Sequence, residues 1–493
     1  MAFSQLLLKS LDPTLPLAEL AEVDDDREKK SLSLFKKSDS KPTTAQTAGK
    51  NFPVIQISGF AVTNIDTFII DETNFIPTVT LHFTDIGGEF NGSTFPKKNL
   101  IMSTYIKVAN QKFKPIRQDW LITSIRSMAP DKKLSDASSV DVDYVIKGEL
   151  FVPRIYNNTS RSYNGLTSKE TLTKVAEELK IGFAENPAAT PNDAMTWINF
   201  NTSPANFIKD VASHSFQDVY SFFTAFISKE YCLCYINVND QLIPRESDDT
   251  FVNYSNLEAI DTNARTKVEE IDATVFNFLT TVTSSKSSPN YLTSVTLLSD
   301  QGQILKSNGY KKQIYYYDYT INAEPADKFV DFFVAPNNSD GLPESQILLP
   351  ENEGLDEVGL KKWTNIEYGN AHPQWNFSRV QNDMNLKELE KIQLKVTLNG
   401  INAQVTRGSV IALIITQRVA QQLRKEFDQE NPEKTNETSR KMSDETPDLQ
   451  LTGKYWVKGA KYYYDGPTQK FETELILSRR EWVESKKITP PSV

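Results

Sequence analysis

The clearest alternation in the chain lies near its end. In Lys470–Ser478, Phe471, Thr473, Leu475 and Leu477 fall on one side of a two-residue period. Lys470, Glu472, Glu474 and Ser478 fall on the other, with Ile476 as the exception. One apolar side at period two predicts an antiparallel strand covering a core. Just upstream, Tyr455 and Val457 alternate with Lys454 and Lys458, and Trp456 is out of pattern. Asp465-Gly466 between the two runs predicts a turn, so residues 453–479 read as a hairpin. Lysines of one strand and glutamates of the other are expected to pair across the ladder.

Residues 52–155 read as β throughout. Segments 54–62, 78–83, 100–108, 120–127 and 140–151 make about five strands, a spacing that suits a small sandwich or barrel. Pro77 stands at a strand start, where its missing N–H is tolerated. The period then changes. Thr167-Ser168-Lys169-Glu170 is a capping box, followed by Leu172, Val175, Ala176 and Leu179 at helical spacing. Gly182 is expected to end this helix. Residues 197–201 read as extended. Ser203-Pro204 predicts a second helix start, with Phe207, Ile208, Val211 and Ala212 as its buried stripe. Residues 220–227 and 231–238 around Ser228-Lys229-Glu230 predict a hairpin, closed by Asn239-Asp240. Further strands are expected at 294–298, 312–321, 392–398 and 408–416.

Three stretches lack such periods. Residues 1–51 carry a mixed charge run at 24–30 and a Ser-, Thr- and Lys-rich segment. They predict an N-terminal arm, partly disordered or docking on a partner, with residues 3–11 as a short docking helix. Residues 336–365 are rich in Pro, Gly and acid and predict an insertion loop. Residues 417–450 begin as a short helix and become Asn-, Glu-, Lys- and Thr-rich, predicting a mobile loop between paired strands.

The chain has 493 residues, 39% hydrophobic and 24% charged, with a net charge of −10. That balance argues against nucleic acid as a main ligand. It suits a wall that DNA slides past, where a basic lining would hold the strand. No apolar run approaches the ~18–20 residues that span a bilayer, and the start predicts no signal peptide. Of the three histidines, His82, His214 and His372, none is paired at metal-ligand spacing. Cys232 and Cys234 fall on one face of a strand and read as small buried hydrophobes. Asp24-Asp25-Asp26 reads as a solvated run. The clusters at 315–317 and 462–464 place inner tyrosines in a core and outer ones at an interface. No catalytic, cofactor-binding or metal residue is expected.

The hairpin opens on Thr452-Gly453-Lys454-Tyr455-Trp456-Val457 and closes on Thr473-Glu474-Leu475-Ile476-Leu477-Ser478-Arg479. This resembles the last barrel of the central hub proteins of contractile tails, the family of the phage late-control-protein-D type and the N-terminal part of VgrG spikes. Its members often start that hairpin on small-Gly-x-Tyr-x-Val and finish it on Thr-x-Leu-x-Leu-x-Arg. The order helix, Trp197, Asn201-Thr202-Ser203, helix with Phe207, then hairpin is similar to the same family. Residues 376–389 resemble the segment leading into the final barrel, and 392–416 its strand–Gly–strand step. The resemblance covers about residues 52–485. Lys229-Glu230-Tyr231 departs from it, standing where many relatives have a Gly-x-Leu turn.

The resemblance implies an α+β fold, mainly β, with two tube-protein-like β-barrels and an α/β insertion domain between them. The expected boundaries are an arm at 1–51, a first β-barrel at 52–155, and an α/β domain of two helices and a hairpin at 156–255. The second barrel comprises 256–335 and 386–485, with an insertion at 336–385, the mobile loop at 417–450 and a tail at 486–493. It further implies a structural baseplate hub, not an enzyme, in a contractile phage tail or related injection machine. The chain would be a homotrimer forming a pseudo-six-fold ring that joins tail tube to three-fold spike around the DNA channel. Implied partners are the tail tube protein, the central spike, baseplate wedge proteins and the tape-measure protein, with DNA only as passing cargo and no membrane insertion. The implied location is the virion tail baseplate, assembled in the host cytoplasm. A hub-associated cell-wall-degrading enzyme and a β-rich carbohydrate-binding protein remain alternative readings.

Loop closure costs rise only about 0.6 kcal/mol per doubling of length. Replacing residues 429–444 with a short Gly-Ser link is therefore expected to leave the melting temperature unchanged or slightly higher. A large drop in differential scanning calorimetry would mean that this stretch is folded.

Overall fold

Alternation is cleanest in Thr78–Asp85, where Val79, Leu81, Phe83 and Asp85 are buried and the residues between them are not. The computed structural model describes residues 52–58, 60–86, 101–107, 116–128, 141–185, 189–242, 292–308, 371–401, 405–414 and 453–479, with a few single residues beside them. It also describes the backbone of strands at 6–9, 275–276, 280–283, 312–317 and 329–334. The expected loops at 336–365 and 417–450, the charge run at 24–30 and the tail at 486–493 lie outside the described residues.

In chain order, the first strands are β1 (Leu6–Lys9), β2 (Phe52–Ile57), β3 (Phe60–Val62), β4 (Ile65–Asp71), β5 (Thr78–Asp85), β6 (Ile101–Lys107), β7 (Ile116–Met128) and β8 (Val142–Leu150). A mixed segment follows: β9 (Thr159–Leu166), α1 (Ser168–Leu179), β10 (Gly182–Glu185), β11 (Met195–Thr202), α2 (Pro204–Ser213), β12 (Phe223–Ile227), β13 (Cys232–Asn237) and α3 (Val238–Leu242). The rest comprises β14 (Val275–Phe276), β15 (Thr280–Thr283), β16 (Leu292–Ser299), α4 (Gln301–Asn308), β17 (Lys312–Tyr317), β18 (Phe329–Val334), α5 (Trp375–Glu388), β19 (Ile392–Asn399), β20 (Val410–Ile414), β21 (Gly453–Asp465) and β22 (Lys470–Ser478).

The fold is mainly β, with helices gathered in the middle of the chain. Most strands join one 13-stranded sheet in the order β16-β19-β22-β21-β4-β5-β8-β7-β6-β2-β3, with β20 on β21 and β15 on β20. The expectation of two separate closed barrels is corrected here: among the described residues no ladder closes either β region. The reason is β21. One of its edges pairs β22, and the other is split, Gly453–Trp456 facing β20 and Lys461–Asp465 facing β4. That shared edge makes the two β regions one sheet. The first region has seven strands rather than about five. It curls around Phe90, whose ring lies 5.3 Å from Phe60 of β3, 5.5 Å from Phe83 of β5 and 4.9 Å from Tyr144 of β8. The side chains thus meet across β3 and β5 where no backbone ladder does.

The central segment forms an α/β unit. Thr167 caps α1 reciprocally with Glu170, as the capping box requires. Gly182 does not end α1; Lys180 takes the left-handed cap at φ 58 and Gly182 opens β10. Ser203 caps α2, with Pro204 at its first turn. The residues expected to close the hairpin form α3 instead. The segment expected as a docking helix at 3–11 contains β1, a strand that adds its backbone between β10 and β14. A β-sheet edge is a ready template for an added strand.

Strand β13 is buried at every position. Its alternation survives in which core each residue enters. Leu233 and Tyr235 join the main core, while Cys232, Cys234 and Ile236 join a second cluster with Phe226, Leu389 and Trp456. This explains the Trp456 exception: β21 is covered on both faces, one of them by the hairpin β12–β13. Gly408 marks how close that approach is. Its φ is +87, and a Cβ there would stand 2.5 Å from Ile236 and 2.9 Å from Phe226.

The charge ladder also differs from expectation. Glu474 pairs with Lys395 of β19 at 2.8 Å, and Lys461 with Asp71 of β4 at 3.2 Å. The β21 lysines thus look outward from the hairpin, to Asp71 and, for Lys458, to Glu390 at 2.6 Å. Leu475 is fully buried, whereas the Glu474 side chain is 28% exposed. Leu475→Asp is expected to cost about 4 kcal/mol or more, since it buries an unpaired charge. Glu474→Lys is expected to cost about 1 kcal/mol from lost surface pairing. Equal shifts in urea midpoint would refute the register.

Candidate functional site

A set of buried charged and polar side chains lies where the three parts of the chain meet. Glu72 follows β4, Lys229 sits in the β12–β13 turn and Tyr462 is on β21. Burial leaves Glu72 2%, Lys229 1% and Tyr462 1% exposed. The backbone brings them together: Glu72 N–H donates to Ala460 O at 2.8 Å, and Ile227 N–H donates to Phe75 O at 2.8 Å. Lys229 N–H donates to Glu72 Oε1 at 3.1 Å. Lys229 Nζ lies 2.9 Å from Glu230 Oε1 and 3.5 Å from Glu72 Oε2, and 4.9 Å from the Tyr462 ring centre.

The neighbours of the turn are equally committed. Gln118 Nε2 donates to Lys229 O at 3.3 Å, and Tyr231 Oη accepts from Asp119 N–H at 2.8 Å. Tyr231 has φ 57, an uncommon conformation for a bulky residue that aims its ring back at β7. Arg407 donates to Asn74 O at 2.6 Å and stacks its guanidinium 4.3 Å from the Phe226 ring. Each contact joins two of the three parts of the chain: Gln118 and Asp119 bind the turn to the first β region, and Arg407 binds the second region to both others.

Proton placement follows from geometry. Tyr462 Oη is 2.6 Å from Val405 O and 3.1 Å from Glu72 Oε2. A carbonyl only accepts, so the single phenolic hydrogen goes to Val405 O. The longer contact with Glu72 Oε2 is its weaker arm, and that oxygen also faces Lys229 Nζ. Burial raises the Glu72 pKa, against the Lys229 charge that lowers it. Burial opposes the Lys229 ammonium, but Glu230 and the rest of the cluster outweigh it and hold its pKa above the usual value.

A second polar set ties α5 to the α/β unit. The last carbonyls of a helix lack partners within it. At the end of α2, side chains of α5 supply them. Asn382 Nδ2 donates to Ser213 O at 2.8 Å and Ser215 O at 3.0 Å, and Asn382 Oδ1 accepts from Phe223 N–H at 2.9 Å. Ser378 Oγ and His372 Nε2 both donate to His214 O, each at 2.9 Å. Gln381 donates to Val219 O. Trp375 lies flat on His214, ring centres 3.5 Å apart at 8°.

Sequence spacing could not bring His214 and His372 together; the fold does. His82 stays apart and half-buried on β5. Cys232 and Cys234 are free, buried thiols in the second core cluster, and burial raises both pKa values. Tyr462 and Tyr464 are core and Tyr463 is half-buried. Among the described residues no group of three His, Cys, Asp or Glu side chains is arranged to hold a metal, and no helix is long and apolar enough to cross a membrane.

Burial drives the His214 pKa down from 6.5 to about 3 and that of His372 to about 4. The unfolded chain therefore holds more protons than the fold from about pH 6.5 downward. Stability is full above that value and falls as the pH drops toward 4, by about 1.4 kcal/mol per pH unit for each ring. Urea midpoints at pH 7 and pH 5 are expected to differ more for the native chain than for His372→Gln. Parallel pH slopes for the two would refute the assignment.

No protein-family model and no curated protein matches the chain. Among solved structures it is similar to the tail protein from Neisseria meningitidis MC58, at 8% identity and a TM-score of 0.48, over 87% of this chain and 97% of that one. The 43 kDa tail protein of prophage MuSo2 from Shewanella oneidensis aligns at 9% identity and a TM-score of 0.44, over 88% and 97% of the two chains. A half-lidded PdpA-VgrG complex from Francisella aligns at 12% identity and a TM-score of 0.39, over 97% and 67%. The chain is similar over most of its length to solved tail proteins and to a VgrG complex.

Proposed function

We propose that this chain is a structural baseplate hub of a contractile phage tail or related injection machine. The observation that carries this reading concerns the hairpin β21–β22. Its residues carry the sequence resemblance to tail hubs, and its first strand is the seam between the two β regions. A motif that closes a barrel in the family here also couples the two halves of the molecule through one continuous sheet and a buried junction. Such coupling suits a part that bears load between a tube and a spike.

In this reading the working form is a trimer. Two β regions in each of three chains place six around one axis, matching a six-fold tube to a three-fold spike, and closed symmetry covers sheet edges that would otherwise template aggregation. The regions are 52–155 and 256–335 with 386–485. The α/β domain at 156–255 lies between them along the chain. The net charge of −10 suits a channel wall past which DNA slides. Its partners are the tail tube protein, the central spike, wedge proteins and the tape-measure protein, at the virion tail baseplate, and it performs no bond chemistry on a substrate.

Negative-stain and cryo-electron images of the purified chain, alone and with its tail tube protein, are expected to show a three-fold ring with a channel wide enough for duplex DNA. A particle that stays monomeric beside the tube protein, or a ring built from one β region only, would sink the proposal. Clearing of peptidoglycan in a zymogram would point to a cell-wall enzyme instead.

A further inference from the structure

The large sheet has two ends, and they are finished differently. Natural sheets blunt an exposed edge by shortness, charge, proline or a bulge. At one end β3 is only three residues long, and its Phe60 packs against Phe90. At the other end β16 is eight residues long, Leu292-Thr293-Ser294-Val295-Thr296-Leu297-Leu298-Ser299. It holds no charged residue and no proline, and its bulge falls at its very start, between Leu292 and Ser294. Strand β19 covers one of its edges, and among the described residues no strand lies on the other.

The apolar side of the sheet runs out onto that edge. On β19, Leu394, Val396 and Leu398 are buried in the main core. Their cross-strand neighbours on β16 are Leu297, Val295 and Leu292. Leu292 is buried and Val295 half-buried, but Leu297 is 54% exposed although it stands directly opposite Leu394. Leu298 points to the opposite face and is 37% exposed. A long, uncharged edge open on both faces is a template for a further strand.

We propose that β16 pairs antiparallel with β16 of a second copy of this chain, about a two-fold axis normal to the sheet. The strand is self-complementary in that arrangement. Residues opposite each other in an antiparallel pair share a face. With Thr296 opposite its own counterpart, Val295 of each copy meets Leu297 of the other, both on the core side. Thr296 meets Thr296 on the outer side, and Ser294 meets Leu298. Leu297 thus gains beyond the edge the apolar neighbour that Leu394 already gives it within the sheet. Neither strand carries a charge to oppose the pairing, and the two cores join across the axis. A contact of this kind is isologous and closes on itself. It is separate from the three-fold ring proposed above: isolated chains pair as two, and rings pair back to back as six.

The test is the number of copies in particles of the full-length chain, counted by light scattering at micromolar concentration. The native chain is expected in an even number, two or six. Thr296→Glu should halve it, to one or three. Thr296 is exposed and lies opposite Lys395 in its own chain, so the glutamate gains a partner there, while across the axis two glutamates meet and repel. Thr296→Cys should give a disulfide-linked pair on oxidation, because the two positions face each other within bonding reach. Leu298→Cys should not, since in this register it lies about 13 Å along the strand from its counterpart. Cys232 and Cys234 are buried and stay out of the reaction. A native chain of one or three copies, or a Thr296→Glu chain of unchanged mass, would overturn the proposal. If that variant keeps its mass but no longer joins its tail tube protein, the edge belongs to that partner and the second copy is ruled out. Halving from two to one supports the pairing even where no ring forms, so its outcome is distinct from that of the hub reading.

Discussion

A charged lysine held out of water constrains everything around it. Lys229 needs its partners, and those partners come from both other parts of the chain. Removing one member of a buried pair typically costs about 3–5 kcal/mol, because a charge is left uncompensated. The hairpin β12–β13 sits on β21 and beside β4, where the more distant of those partners are. Burial of β13 on both faces follows from that position, as do the Cys232–Cys234–Trp456 cluster and the close approach at Gly408. The split edge of β21 is the backbone counterpart of the same constraint.

Helix α5 extends the arrangement by a different means. Its buried face includes Ser378, Gln381, Asn382 and Asn385 as well as Val380 and Met384. A polar face buried in this way needs acceptors at fixed places. The free carbonyls at the end of α2 provide them, so the helix is positioned by hydrogen bonds more than by an apolar stripe. Trp375 then lies flat on His214 and edge-on to His372, and burial keeps both imidazoles neutral.

The residues that carry the family resemblance and those that depart from it do different things. The hairpin motif at 452–457 and 473–479 holds strands in register. Lys229-Glu230-Tyr231, which departs from the Gly-x-Leu turn, holds the units to one another. A turn of small residues would save strain at residue 231, yet it would supply neither the ammonium nor the phenol that reaches Asp119.

Local periods and caps were legible in the sequence because they depend on near neighbours. The alternation of β22, the capping box at Thr167 and the Ser203-Pro204 start act within a few residues, and the chain encodes them directly. The exceptions to those patterns were visible too, but not their cause. Trp456 broke an alternation because a second core lies over β21, and Lys229 fell in a predicted turn with nothing near it in sequence to show that it would be buried. The meeting of His214 with His372, the pairing of β4 with β21 and the burial of Lys229 beside Glu72 all depend on groups far apart along the chain. Only tertiary structure decides these, since side-chain type sets what a residue can donate, accept or bury, while packing sets which partner it finds.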